Sequence, residues 1–433
     1  MKKLSPYIKI VLTFFIVILV GALLLMLPIS TNGDNINFVD ALFMSTSSVC
    51  VTGLTVIPNI AEKFTIFGKV VTGILIEIGG LSFITIATFF MVVLGGKIGI
   101  NSRFLLKESL NQNSLKGIIA LVKKIMLLSF SIQAIGIVLN SIALMPYYND
   151  FWTVIGVSVF HTIASFNNSG LDIFGATSMI QFSTDVFLNI NTMILIVLGG
   201  LGFYVIDDIM HKRRWKKFNI NTKIVLITTV LLIFLGAFGL KIANNNLSWF
   251  ESFFMSITSR TAGFQTVNCA NLNSGEYIII IFLMFIGASP GSTGGGIKTA
   301  TMAVIVIAIT SFAVNRKPVV FKRQIAENTI FKSFALVCTA LLTCFLAIFL
   351  ISCFDKDLSI ETIIFEVISA FSTTGLSMGI TTSLSIPSKL IISFMMFFGR
   401  LGPLTIISMI NRKWNVNSDD DRIRYVEEKV VIG

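Results

Sequence analysis

Polar and apolar positions along this chain fall into long blocks rather than short amphipathic periods. Runs of about 20 residues with almost no charge recur, among them residues 7–29, 118–145, 220–243 and 328–354. As a helix, such a run crosses roughly 30 Å of hydrocarbon. Shorter apolar stretches stand between the runs, such as FVDALFMSTSS at 38–48 and FESFFMSITS at 250–259. At about 10 to 14 residues they are too short to span, which predicts re-entrant half-helices. Asp40 and Glu251 fall in their first turns, where a carboxylate suits the positive helix end. The opposite, negative ends then point into the membrane.

The blocks group into four units of one order: outer helix, half-helix, polar loop, inner helix. Unit one covers about 5–29, 37–50, 51–58 and 65–95, and unit two 118–145, 150–165, 166–174 and 185–210. Unit three covers 220–243, 247–260, 261–268 and 276–312, and unit four 328–354, 358–371, 372–380 and 387–410. The expected fold is an all-α integral membrane protein with eight transmembrane helices, the four repeats surrounding a pseudo-fourfold pore. Its expected divisions are 1–97, 98–212, 213–316 and 317–412, with a charged tail at 413–433.

Each polar loop carries one glycine in a matching place. The strings SSVCVTGLTV, ASFNNSGLDI, TSRTAGFQTV and SAFSTTGLSM hold Gly53, Gly170, Gly263 and Gly375, preceded by the small residues Thr52, Ser169, Ala262 and Thr374. Irregular backbone at membrane depth is tolerated only inside protein or beside a water-filled cavity. Glycine accepts unusual φ/ψ at little cost, which lets successive carbonyls face one axis and replace the hydration shell of a cation. Any one of these glycines has a plain alternative as a helix terminator. Four in equivalent positions favour a selectivity filter, with potassium held by backbone carbonyls.

The inner runs carry glycine 24 to 30 residues after each filter glycine, at Gly79–Gly80, Gly199–Gly200, Gly287 and Gly399. Close helix packing accounts for the first two pairs. It does not account for IGASPGSTGGGIKTAT at 286–301, where Gly287, Ala288, Ser289, Pro290, Gly291, Ser292, Thr293, Gly294, Gly295 and Gly296 break an apolar span. A phosphate-binding GxxxxGK[ST] loop does not fit, because Ile297 intervenes before Lys298 and Thr299, and no strand precedes. The expectation is a flexible gate loop under the filter. Lys298 would face the cytoplasmic vestibule, and Arg400, an intramembrane cation, would bond loop carbonyls or else pair with an acid such as Glu77. His161 reads as a packing residue, Asp172 as an outer-mouth charge, and Asp207 and Asp208 as a solvated face.

Composition and charge sharpen this picture. Of 433 residues 54% are hydrophobic and 13% charged, about half the charge of a soluble domain. The net charge of +11 gathers in three loop regions around Lys97–Lys124, Lys212–Lys223 and Arg316–Lys332, and at both ends. Between them stand few cations: Lys63, Lys69, Lys241, Arg260, Lys356 and Lys389. That alternation follows the positive-inside rule, puts both termini in the cytoplasm of a plasma-membrane protein and argues against nucleic acid as partner. The five cysteines form no CxxC pair, and no nucleophile–base pair or complete nucleotide motif points to an enzyme.

The fourfold unit with one filter glycine each resembles the Trk/Ktr/HKT superfamily of cation transporters, over nearly the whole chain, in the compact form of KtrB-type membrane subunits. The resemblance implies potassium uptake, sodium-stimulated in many members, with Gly53 favouring potassium over sodium. It implies an intramembrane gate loop in the third inner helix, with Arg400 beside it. It also implies a homodimer on a cytoplasmic KtrA-type ring that binds the nucleotide this chain does not. Two rivals stay open: a secondary transporter with paired inverted repeats, and a non-transporting scaffold subunit.

Overall fold

The computed structural model describes residues 6–96, 98–109, 115, 117–403 and 405. The tail at 413–433, the end of the fourth inner run and the terminal cations lie outside the described residues. The described chain is almost wholly helical. The first quarter holds α1 (Pro6–Leu25), α2 (Phe38–Val49), α3 (Ile60–Lys63), α4 (Ile66–Leu81), α5 (Phe83–Val93) and α6 (Ile100–Ser109). The second holds α7 (Ile118–Leu144), α8 (Phe151–Asn167), α9 (Val186–Gly200) and α10 (Phe203–Lys212). The third holds α11 (Ile220–Ala243), α12 (Trp249–Thr258), α13 (Ser274–Phe285) and α14 (Thr299–Ala313). A two-residue hairpin, β1 (Val319–Val320) and β2 (Arg323–Gln324), leads to α15 (Glu327–Phe354), α16 (Ile360–Ser372) and α17 (Ile386–Leu401).

The long helices turn their polar sides inward. On α7 the buried stripe is Val122, Met126, Ser129, Gln133, Gly136 and Asn140, while Leu127, Ile135, Val138 and Ile142 are exposed. A water-soluble helix would do the reverse. On α15 the buried positions are Ser333, Ala340, Cys344, Ala347 and Ile351, again spaced by one or two turns. Small and hydrogen-bonding residues inside, with bulky apolar ones outside, is the pattern of helix packing in lipid. By length and composition, α1, α7, α11 and α15 suffice to cross a membrane, and the count is six if two bent pairs are each one span.

Those bent pairs divide the inner helices expected at 65–95 and 185–210. The chain turns by 91° between α4 and α5 and by 94° between α9 and α10. The breaks fall at Ser82, with φ +68°, and Gly202, with φ +89°. Both lie three residues after a packed glycine, Gly79 or Gly199, and Gly402 (φ +78°) ends α17 three residues after Gly399. The glycines explain the close approach. A Cβ on Gly79, Gly199 or Gly399 would collide with the carbonyl oxygen of Val49, Phe166 or Phe371, each at the end of a short helix. The third inner run is divided too, into α13 and α14, by the glycine-rich loop. The sequence reading did not foresee α6, which lies in the first basic loop region, buries Leu106 and places Glu108 Oε2 2.8 Å from the Tyr7 hydroxyl.

Candidate functional site

Four short helices, α2, α8, α12 and α16, begin alike. Each has a side chain at its N-cap that accepts a backbone N–H three residues on: Asn37 from Asp40, Asp150 from Thr153, Ser248 from Glu251 and Ser359 from Thr362. Ser248 and Glu251 complete a reciprocal capping box. With the starts fixed this way, the C-terminal ends carry their partial negative charge to the four polar loops.

The loops share one backbone conformation. Val51, Asn168, Thr261 and Thr373 have φ of +56°, +59°, +75° and +52°, and the glycines two residues later have φ of +102°, +69°, +82° and +93°. Alternating left-handed and right-handed residues turn successive carbonyls to one side, where an ordinary strand would alternate them. The amides point the other way, back to the short helices. Thr52 N donates to Ser47 O, Ser169 N to Ala164 O and Thr374 N to Ser369 O at 2.8 to 2.9 Å, while Ala262 N takes Thr258 O. Gly53 N and Gly375 N are each held by a serine hydroxyl, Ser47 or Ser369, at 3.1 Å. Left-handed Val and Thr residues cost on the order of 1–3 kcal/mol each. The sequence reading missed this ring; only Asn168 is of a type that announces it.

The four loops meet in a closed cycle. A Cβ on Gly53 would strike Ser169 O and lie 3.0 Å from the Cα of Gly170. One on Gly170 would lie 2.6 Å from Ala262 O and 3.0 Å from the Cα of Gly263. One on Gly263 would strike Thr374 O, and one on Gly375 would strike Thr52 O. So 53 faces 170, 170 faces 263, 263 faces 375, and 375 faces 53. The carbonyls of Thr52, Ser169, Ala262 and Thr374 accept no hydrogen bond from a described residue. On one side of the ring lies a cavity of about 350 Å³ lined by all four glycines, with Asp172, Gln265 and Ser377 on its wall. Asp172 on this wall has its Oδ1 accepting from Phe174 N at 3.2 Å.

On the other side lies the glycine-rich loop, largely buried. A parallel bridge between Ile286 and Ile297 closes its neck, where Gly287 packs against Gly295 and Gly296. Gly295 N donates to Thr373 Oγ1 at 2.9 Å, and Gly294 packs on Thr261, so the loop touches the left-handed ring directly. Ser289 N reaches Gly200 O at 3.0 Å, Thr293 N reaches Gly199 O, and Phe203 N donates to Gly291 O at 3.0 Å. Pro290 lies against Gly202, and Ser292 Oγ donates to Ser289 O. Ala288 O accepts from Thr299 N. These bonds tie the loop expected to be flexible to α9, α10 and the left-handed ring. Arg400 donates to Thr293 O on one side and to Gly79 O and Gly80 O (3.1 Å to the latter) on the other.

Several expectations change here. Glu77 is not the partner of Arg400, because its carboxylate accepts from Gln133 and Asn167. Lys298, half-buried, turns its Nζ back to Gly294 O at 2.7 Å. Asp208 is buried, paired with Lys212 and accepting from Thr222 and Asn219, while Asp207 meets Lys124 and His211 at the surface. Arg260, counted among the cations between basic loops, is buried three residues before Gly263. His161 packs as expected, against Phe174 and Phe264 with Thr192 on Nε2. Glu366 was missed. It is a fully buried acid in α16 that accepts from Ser377 and Thr381 and so ties the fourth loop to its helix. A carboxylate in the apolar middle of a half-helix, beyond the first-turn Glu361, was the available signal.

A helical membrane protein that gathers backbone oxygens from four loops around one point falls in the class of cation-transport proteins. The family model of TrkH, described as cation transport protein, matches residues 3–250 and 240–418, and the chain belongs to that family. The Ktr system potassium uptake protein B of Bacillus subtilis is 36% identical, covering 100% of this chain and 97% of the relative. The potassium/sodium uptake protein NtpJ of Enterococcus hirae is 37% identical, covering 100% and 98%. The crystal structure of the potassium transporter TrkH from Vibrio parahaemolyticus shares the fold, with a TM-score of 0.73 at 18% identity, over 96% of this chain and 86% of that one.

Proposed function

We propose that this chain carries potassium into the cell through a pore on the axis of the four loops. Thr52–Gly53, Ser169–Gly170, Ala262–Gly263 and Thr374–Gly375 form the selectivity filter, and residues 287–296 with Lys298 and Arg400 form the gate. The observation that carries this reading is the closed cycle of glycines and hydrogen-bond-free carbonyls. Oxygen dipoles from four equivalent loops replace water around a bare monovalent cation, and the C-terminal ends of four capped half-helices add negative potential. Four repeats of outer helix, half-helix, loop and inner helix then give eight crossings, once the divided inner helices are counted as spans, with boundaries at 1–97, 98–212, 213–316 and 317–412. Both termini are cytoplasmic by the distribution of basic residues.

No chemistry is needed for uptake. Each charge crossing 100 mV gains roughly 2.3 kcal/mol, so about −150 mV supplies roughly 3.5 kcal/mol, enough for accumulation of several hundredfold. The relatives named for a Ktr system support a regulated assembly, here a homodimer of this chain on a cytoplasmic nucleotide-binding ring. The name of NtpJ supports a role for sodium as stimulant. Rubidium uptake tests the reading. A potassium-import-deficient bacterium expressing this chain with a ring subunit regains uptake at micromolar to millimolar potassium; expression at the membrane without any uptake contradicts it.

A further inference from the structure

Arg260 occupies the position three residues before the loop glycine, where the other loops have Cys50, Asn167 and Ser372. Asn167 shows what this position does. It reaches the preceding inner helix, where its Nδ2 donates to Glu77 Oε2 at 2.6 Å and its side chain packs on Gly80. Arg260 stands in the same relation to α9, lining a small cavity with Val197 and Gly200. Val197 is the residue that corresponds to Glu77, two before the glycine pair. The carboxylate that serves Asn167 therefore has no counterpart beside the arginine.

The cavity has a volume of about 20 Å³ and also touches Thr229 of α11, Ile257 of α12 and Ala288 at the start of the glycine-rich loop. No carboxylate lines it. Arg260 is 8% exposed and its Nε has no hydrogen-bond partner among the described residues. Thr229 is 5% exposed and its Oγ1 has none either. Two buried polar groups, one in the loop after α12 and one on α11, thus share one small space. A buried donor without an acceptor is costly, and a buried charge without a countercharge more so.

The size of the space limits the occupant. About one water-sized body fits, which rules out sulfate, phosphate or an organic carboxylate. The occupant must accept from both a guanidinium N–H and a hydroxyl. A water satisfies the hydrogen bonds but leaves the charge, whereas a halide ion satisfies both. We propose that this cavity is a binding site for one chloride-sized anion, held between Arg260 and Thr229. There it neutralises a fixed positive charge that otherwise stands three residues from Gly263 and beside the root of the loop.

The test uses the full-length purified protein at constant potassium and ionic strength, with gluconate replaced stepwise by chloride or bromide. The thermal midpoint of wild type rises saturably, by roughly 2–4 °C. Arg260→Gln loses the rise because the charge is gone. Val197→Glu loses it because the chain now supplies the carboxylate, as Glu77 does for Asn167. Crystals grown in bromide show an anomalous peak between Arg260 and Thr229. No halide dependence in wild type and no peak at saturating bromide, meaning a water alone occupies the site, overturns the proposal. So does a halide effect that persists in Arg260→Gln, which retains its meaning even if Val197→Glu fails to fold.

Discussion

At Gly170 the backbone has φ +69°, and a Cβ would lie 2.6 Å from Ala262 O. Gly170→Ser therefore pairs a left-handed strain of about 1–2 kcal/mol with a push on the next loop's carbonyl. Rubidium uptake by Gly170→Ser falls at least about tenfold, or its preference over sodium collapses, while the protein still reaches the membrane; wild-type affinity and selectivity would count against the assignment. The inner-helix glycines predict a different effect. Gly79→Ala drives a Cβ into Val49 O, whereas Gly73→Ala on the same helix meets nothing closer than 3.8 Å. Gly79→Ala loses about 1–3 kcal/mol of stability by thermal unfolding, and Gly73→Ala is near neutral. The glycines were legible in the sequence because composition and position coincide. The left-handed Val51, Thr261 and Thr373 were not, since their residue types argue against that conformation and only the surrounding packing imposes it.

The element that decides gating in this account is the loop between α13 and α14. Its sequence announced a break but not the form of the break. Backbone hydrogen bonds to Gly199, Gly200 and Phe203 and side-chain bonds to Thr373 and Arg400 come from other parts of the chain, where local pattern reading cannot reach. The bends at Ser82 and Gly202 were hidden for the same reason, because apolar runs continue through both. Arg400→Gln removes the donor that joins Thr293 O to Gly79 O and Gly80 O. Flux measured in liposomes without a ring subunit rises in Arg400→Gln, and a deletion within 289–296 raises it further. Flux unchanged from wild type in both variants would remove the gate from the account.

Across the whole molecule, the fourth quarter of the chain must meet the first for the cycle to close. Lys389 of α17 and Asp40 of α2 form a 2.7 Å ion pair there, with side chains only 14% and 21% exposed. Both were visible in the sequence, Asp40 as a first-turn acid and Lys389 as one of a few isolated cations, but nothing local joins residues 349 apart. Asp40→Asn leaves a mostly buried ammonium short of its partner. The thermal midpoint of Asp40→Asn falls, by the equivalent of about 1–3 kcal/mol once partial exposure is allowed for, and the double variant Asp40→Asn/Lys389→Met recovers part of the loss. An unchanged midpoint would mean that the seam is held by apolar packing alone. Four half-helices and four glycines recur in register along the sequence; the cyclic contact between the glycines only geometry could supply. The central claim, that main-chain oxygens of the four loops bind the transported ion, is tested most directly by anomalous diffraction from crystals in rubidium or thallium. The account predicts a peak on the axis among the carbonyls of Thr52, Ser169, Ala262 and Thr374. Bound ions found only off that axis, held by side chains, would contradict it.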